Sequence, residues 1–427
     1  MDYQAPALAR TIALPHAVAL YVGAVVGAGV LLLPGVAAST AGPASLVAWL
    51  FVGVLGIPLA LTFAALAARF SDAGGVATYA TRAFGATAGA VVGWSYFVAG
   101  SVGQAIVSLT GGYYVAAAFD RGDELAFPVA GAILLACVLS NLRGLRISGR
   151  IQLALSTAVA VMLGAAALSA VPRFDAGAFG PLVPHGLDAV GRAAVPLFFA
   201  FAGWEAIAHL SAEFRNPRRD LRLATGITIA VVLCLYLGVS AAVIGTSSYG
   251  TPDVDRSAVA QVLGDSVGLA AAPVAGVAAA LISLGTANAF IASVSRLGYA
   301  LARDGAFPRS LGRLDAQGVP RVAVIAVGAV GAAGLAIILA GRLGAEDLLV
   351  VPSSLVILTY ILGMGAGVRL LHGRERALAA IGLAMCLAVA PFAGGSLLVA
   401  LLVAGGAIAY RRLGVSAART ARAARHG

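Results

Sequence analysis

The stretch GAVVGAGVLLLPG, residues 23–35, decides the fold, because it lies inside a long hydrophobic run and yet is poor in helix-forming residues. Gly23, Gly27 and Gly29 have no side chains and Pro34 has no backbone N–H group, all within about three helical turns. Inside a bilayer, unpaired backbone groups are tolerated only where they are buried in protein or line a cavity. The stretch therefore predicts a membrane helix that is interrupted near its middle.

The composition indicates a polytopic membrane protein. The chain has 427 residues, of which 60% are hydrophobic and only 11% are charged, and its mean hydropathy is +0.96. A soluble domain carries about 25% charged residues. Apolar runs long enough to cross a hydrocarbon core of about 30 Å recur along the chain, and the loops between them leave no room for a soluble domain.

Hydropathy predicts twelve spans and two short terminal segments, a cytoplasmic one at 1–12 and a basic one at 412–427. The spans lie near 13–40, 43–68, 86–118, 126–142, 149–171, 188–211, 221–246, 258–302, 321–341, 345–371, 376–391 and 395–411.

The arginines predict the orientation of the chain, which contains no lysine. If both termini are cytoplasmic, 23 of the 28 basic residues lie on the inner side. The outer loops then hold only Arg121, Arg173, Arg192, Arg256 and Arg342. This asymmetry is what short membrane-protein loops show, so we expect a multi-pass membrane protein with both termini in the cytoplasm. The net charge of +10 then follows from topology and gives no indication of a nucleic-acid partner.

The sixth span is interrupted in the same way as the first. It reads VPLFFAFAGWEAIAHL, residues 195–210, with Gly203 close to Glu205 about halfway along. Interrupted helices that open two successive five-span blocks indicate an inverted-repeat transporter. We therefore predict repeats at 13–171 and 188–371, with two further helices at 376–411. The alternative is that the glycines only permit close helix packing, which does not explain a carboxylate at that depth.

The prediction places the acidic residue Glu205 deep inside the sixth span. His209 lies four residues later, which puts both side chains on one helix face. A buried carboxylate is costly in a membrane and usually faces a cavity or a partner. Two interpretations stand: the pair is a proton site or gate, or Glu205 makes a structural hydrogen bond.

The two breaks together predict the substrate class. The amide groups that begin the helix after residues 27–29 suit a carboxylate, and the carbonyl groups at residues 200–202 suit an ammonium group. A zwitterionic amino acid carries both charges. Because the interiors of the spans are mainly Ala, Val, Leu and Phe, we expect a neutral, apolar amino acid.

Four motifs resemble those of the amino acid–polyamine–organocation (APC) superfamily and occur in the expected order over roughly residues 12–370. They are GAVVGAGVLLLPG, SDAGGVATYATRAFG (71–85), FAGWEAIAHLSAEFRNPRRDLRLA (201–224) and SRLGYALARDGAFP (295–308). Within the superfamily, EAIAHLSAEFRNPRRD is especially similar to bacterial exporters of L-methionine and branched-chain amino acids. The resemblance implies an all-α fold of the LeuT type, with a 5+5 inverted repeat and discontinuous helices 1 and 6.

The resemblance also implies residue roles. It makes Phe199 an aromatic gate over the substrate and Glu205 the family's conserved acid. The carboxylate-binding turn would be Gly27, Ala28 and Gly29, and the amine-binding turn Ala200, Phe201, Ala202 and Gly203.

The coupling ion is left open by the sequence. Some proton-coupled relatives use a lysine in span 5, which this chain lacks. The sodium-coupled pattern would use carbonyl groups of Gly23 and Val26 with hydroxyl groups of Ser283 and Thr286. The leading hypothesis is coupling to a proton gradient with Glu205 as the carrier. Sodium coupling and uncoupled exchange are the two alternatives.

The sequence thus predicts a secondary transporter, either permease, exporter or exchanger, that needs no cofactor and no metal. We find no nucleophile–base pair and no metal-ligand motif, which argues against an enzyme. Two alternatives remain: a sensor on a transporter fold that binds an amino acid without moving it, and a transporter of cationic amino acids or polyamines. The sequence leaves the oligomeric state open, and a homodimer is one possibility.

Overall fold

The computed structural model describes residues 18, 22, 25–70, 75–144, 149–204, 217–268 and 271–426. All regular structure in these residues is helical. The helices are α1 Gly29–Ala41, α2 Ser45–Arg69, α3 Gly75–Phe84, α4 Ala86–Ala118, α5 Asp123–Leu142, α6 Gly149–Ala170, α7 Leu187–Ala200, α8 Pro217–Gly245, α9 Pro252–Arg256, α10 Ala258–Val267, α11 Ala271–Arg303, α12 Arg321–Leu339, α13 Ala345–Leu370, α14 Gly373–Val389 and α15 Ser396–His426.

Ten helical segments in the described part of the chain are long and apolar enough to cross a membrane. One of them, Gly29–Arg69, contains both α1 and α2, which a 3₁₀ turn at Gly42–Ala44 separates. Helix α7 has 14 residues and is shorter than a span. A polytopic helical membrane protein is therefore confirmed, whereas the number twelve stays a prediction.

Most predicted spans agree with a helix to within a few residues, but the span predicted at 258–302 is two helices. Gly268 ends α10 with a φ of 109°, a backbone angle that residues with a side chain rarely adopt. Helix α11 then begins at Ala271. At the other end of the chain, α15 continues through His426, so the predicted basic tail extends the last helix.

The first interruption occurs where the glycines predict it. Val22 and Val25 are helical, residues 26–28 are not, and α1 begins at Gly29. The Val26 amide donates to the Val22 carbonyl at 2.7 Å, and the Gly27 amide donates to the Val25 carbonyl at 3.0 Å. Residues 26–28 therefore form a tight turn between two helical parts.

The sixth predicted span is also interrupted. Helix α7 ends at Ala200 and residues 201–204 form turns, with Gly203 at a φ of 132°. The rings of Phe201 and Trp49 lie 5.2 Å from the ring of Tyr236, centroid to centroid. This aromatic cluster fixes the break against α2 and α8.

Helix α1 passes very close to the short helix α9 at Gly35. A Cβ atom at Gly35 would collide with the backbone carbonyl oxygen of Asp255. Backbone atoms cannot move aside as a flexible side chain does, so only glycine permits this contact.

We expect Gly35→Ala to destabilise the protein by about 1–3 kcal/mol, as overpacking of a close contact does. The matched control is Gly131→Ala in α5, because a Cβ atom there meets nothing within 4 Å. Thermal unfolding in detergent should show a lower midpoint for the Gly35 variant only. Equal midpoints for the two variants would mean that the α1–α9 contact is not close.

Candidate functional site

A small cavity lies between the two helix breaks. Its volume is about 20 Å³, which is room for about one water molecule. It is lined by Val25, Gly27, Gly29, Val30, Val107, Phe199, Ala200, Ala202, Thr286 and Phe290. None of these lining residues is charged, so the wall offers backbone groups, one hydroxyl group and apolar side chains.

The first break forms one side of the cavity and is held by α11. The Ala28 amide donates a hydrogen bond to Thr286 Oγ1 at 3.3 Å. A Cβ atom at Gly27 would lie 3.3 Å from Thr286 Cγ2, so Gly27 permits this approach. The predicted carboxylate-binding turn is therefore at the cavity, with one of its amides paired to Thr286.

Phe199 lies between three helices at the cavity. A Cβ atom at Gly29 of α1 would be 2.9 Å from its ring, and one at Gly103 of α4 would be 2.8 Å from it. The two glycines thus make the space that the ring occupies. The structure brings Phe199 next to the first break, as its predicted gate role requires, while the role itself stays a prediction.

Two buried tyrosines pair the carbonyl groups that the breaks release. The Tyr236 hydroxyl on α8 lies 3.2 Å from the Val25 carbonyl oxygen and 3.3 Å from the Ala200 carbonyl oxygen. It has one proton to donate, so the two carbonyls share it. Tyr236 therefore joins the two interrupted helices directly.

Tyr360 on α13 pairs the carbonyl group of the next residue of the second break, Phe201. Its hydroxyl donates to the Phe201 carbonyl oxygen at 3.0 Å. The carbonyls of Ala200 and Phe201, predicted to bind an ammonium group, thus each accept a tyrosine hydrogen bond. A carbonyl oxygen has a second lone pair, which stays available for an ammonium group.

Sequence reasoning missed both tyrosines. Tyr236 and Tyr360 are fully buried within helices that are long enough to span. A buried tyrosine hydroxyl normally finds an acceptor, and an acceptor within a membrane helix is available mainly where that helix is broken. Tyrosine in the middle of a span was therefore the signal that could have indicated them.

The predicted sodium ligands are only partly brought together. Thr286 lies at the first break, where its hydroxyl oxygen accepts from the Ala28 amide. Ser283 instead faces α4, because a Cβ atom at Gly111 would lie 3.0 Å from its hydroxyl oxygen. That hydroxyl is buried and has no hydrogen-bond partner in the described part of the chain. Gly23 lies outside the described residues.

Glu205 and His209 also lie outside the described residues, so their predicted roles remain predictions. Trp204, directly before Glu205, is fully buried. A Cβ atom at Gly56 of α2 would lie 3.1 Å from its ring. Among the described residues, no group of three or more His, Cys, Asp or Glu side chains is placed to hold a metal ion.

Comparison with known proteins places this chain in a family. A model of the amino acid permease family matches residues 12–412. The uncharacterized amino acid permease YecA of Bacillus subtilis (strain 168) is 34% identical over 412 residues, covering 95% of this chain and 96% of YecA.

Two other relatives have substrates in their names. The L-methionine/branched-chain amino acid exporter YjeH of Escherichia coli (strain K12) is 28% identical over 407 residues, covering 93% of this chain and 95% of YjeH. The mitochondrial cationic amino acid transporter 3 of Arabidopsis thaliana is 28% identical over 330 residues, covering 70% of this chain and 53% of its own length.

These relatives are transporters and permeases, which supports the prediction that the protein is not an enzyme. The match extends over nearly the whole chain, well beyond the four motifs from which the resemblance was inferred. The chain therefore belongs to the amino acid permease family of the APC superfamily.

Proposed function

We propose that the protein is a secondary transporter of neutral, apolar amino acids that works by alternating access. The observation that carries the proposal is the cavity between the breaks, which two interrupted helices line with backbone groups and with uncharged side chains. An α-amino acid fits this chemistry because its two charges can be matched by main-chain amides and carbonyls. Val30, Val107 and Phe290 would then contact its side chain.

The relatives agree with this class but also name another one. The E. coli relative is named as an exporter of methionine and branched-chain amino acids, whereas the Arabidopsis relative is named as a cationic amino acid transporter. A cationic side chain needs a carboxylate, and none of the described residues that line the cavity supplies one. We therefore prefer neutral substrates and keep cationic amino acids as the second candidate.

Transport requires the cavity to enlarge, because about 20 Å³ is too small for an amino acid. We propose a twelve-span protein with a 5+5 inverted repeat and both termini in the cytoplasm. In this protein α1, α2, α7 and α8 would move together against α4, α5, α11 and α12. Tyr236 on α8 is bonded to both breaks, so the breaks would move as one unit. The Ala28–Thr286 bond joins the two groups and would break in each cycle.

The first prediction about transport concerns the substrate and separates a transporter from a sensor. Proteoliposomes loaded with unlabelled L-methionine or L-leucine should accumulate the labelled amino acid by counterflow, and L-arginine should not replace them. Binding without counterflow would mean a sensor. Exchange of arginine alone would favour the cationic class.

The second prediction concerns the coupling ion. We propose protons, with Glu205 as the carrier, so Glu205→Gln should flatten the dependence of transport on pH while choline in place of sodium changes nothing. A Gln variant that keeps the full pH dependence would remove Glu205 as the carrier. Loss of transport in choline would support sodium, and independence of both ions would support uncoupled exchange.

The third prediction concerns Tyr236. Tyr236→Phe keeps the ring in its aromatic cluster but removes the hydroxyl group from which the Val25 and Ala200 carbonyls accept, which costs about 1–3 kcal/mol. We expect the transport rate to fall roughly tenfold or more. The control is Tyr249→Phe in the loop before α9, whose hydroxyl bonds to neither break. Equal rates for both variants would contradict a joining role for Tyr236.

A further inference from the structure

The last two helices, α14 and α15, follow each other directly but pack against different parts of the protein. Among the described residues, α14 contacts α2, α7 and α13, whereas α15 contacts α4 and α13. The two helices make little contact with each other. Consecutive helices joined by a short connection usually pack together, so their separation points to different roles.

Helix α14 is attached to α2. Arg69, the last residue of α2, pairs with Glu375 in the first turn of α14, with 2.9 Å between Nη2 and Oε2. An exposed ion pair alone stabilises little, but the two helices also pack closely. A Cβ atom at Gly382 of α14 would lie 3.3 Å from the Cβ atom of Pro58 in α2. Helix α14 is therefore held along its length by α2.

The 3₁₀ turn that follows α14, Ala390–Ala393, contacts α7. A Cβ atom at Gly191 of α7 would collide with the ring of Phe392, so this ring lies directly on the backbone of α7. Helices α2 and α7 belong to the same group in the proposed movement. Both ends of α14 are thus attached to that group.

Helix α15 is attached to α4, which belongs to the opposing group. The Arg411 Nη1 atom donates to the carbonyl oxygen of Ala86, the first residue of α4, at 2.9 Å. The rings of Tyr410 and Trp94 lie 5.9 Å apart, centroid to centroid. A Cβ atom at Gly406 would lie 3.7 Å from the Trp94 ring. Helix α15 would therefore stay with α4.

Two glycines, Gly394 and Gly395, connect the turn to α15. Gly394 has a φ of 55°, an angle that glycine adopts freely. A Cβ atom at either position would meet nothing within 4 Å, so no neighbouring group holds the backbone in place there. A few loop residues that absorb changes of φ and ψ are what a hinge requires.

We propose that α14 and α15 form a hinged strap between the two groups of helices. Helix α14 and the turn Ala390–Ala393 move with α2 and α7, α15 stays with α4, and Gly394–Gly395 is the hinge. The inference rests on the proposed function, because it needs the two groups to move. The strap would limit how far they separate in each cycle.

The test is a set of distances measured by double electron–electron resonance on the full chain in nanodiscs, with and without L-methionine. Spin labels on encoded keto amino acids replace the exposed residues Ala68 of α2, Thr87 of α4, Arg376 of α14 and Arg412 of α15. The Ala68–Thr87 distance reports the movement of the two groups. We expect it and the Arg376–Arg412 distance to change together by more than about 2 Å. The Ala68–Arg376 and Thr87–Arg412 distances should stay constant.

The outcomes separate the two proposals. A changing Ala68–Thr87 distance with a constant Arg376–Arg412 distance would overturn the strap and leave the proposed function intact. A constant Ala68–Thr87 distance would contradict the proposed movement, and the strap with it.

A variant tests the hinge itself. Gly395→Ala narrows the backbone conformations of the hinge without a collision, so L-methionine counterflow should slow about two- to fivefold. The matched control is Gly405→Ala within α15, where a Cβ atom also meets nothing within 4 Å; it should keep the wild-type rate. Wild-type rates in both variants would overturn a hinge at these glycines.

Discussion

The structure depends on one constraint: each backbone group that a broken membrane helix releases must find a partner inside the protein. At the first break the Ala28 amide is paired with the Thr286 hydroxyl group. The Val25 and Ala200 carbonyls share the Tyr236 hydroxyl group, and the Phe201 carbonyl accepts from Tyr360. Helices α8, α11 and α13 thus stabilise two interruptions that would otherwise be too costly.

These partners are side chains on neighbouring helices, and in the proposed mechanism a ligand takes the place of a partner without unfolding either break. A substrate carboxylate that takes the Ala28 amide frees Thr286, and an ammonium group can use the second lone pair of a carbonyl that already binds a tyrosine. In the proposed mechanism, the groups that keep the closed cavity stable are therefore also the groups that bind the zwitterionic substrate. Closely packed glycines at 27, 29 and 103 make this pairing possible by letting Thr286 and Phe199 approach the break.

Much of the fold was predictable, because hydropathy marks the spans and glycine marks the helix breaks from the local sequence alone. The break near residue 27 and the end of α7 at Ala200 follow from the residues themselves. The division of 258–302 into two helices was not predicted. A single glycine such as Gly268 barely changes the hydropathy of an apolar run, and its positive φ is not visible in the sequence. Tyr236 and Tyr360 were missed because the partner of a break is set by which helices touch, and a single sequence carries no record of those contacts. The predicted sodium set was drawn from a resemblance and stays a prediction: Thr286 lies at the first break, and Ser283 packs against Gly111 of α4.

The central claim is that a neutral amino acid binds between the two breaks. The most direct measurement is an experimental structure of the full chain with L-methionine. We predict density for one molecule between residues 26–29 and 200–203, with its carboxylate within hydrogen-bond distance of the backbone amides that begin α1. Methionine bound only elsewhere, with the Ala28–Thr286 bond unchanged and the cavity between the breaks still closed, would contradict the account.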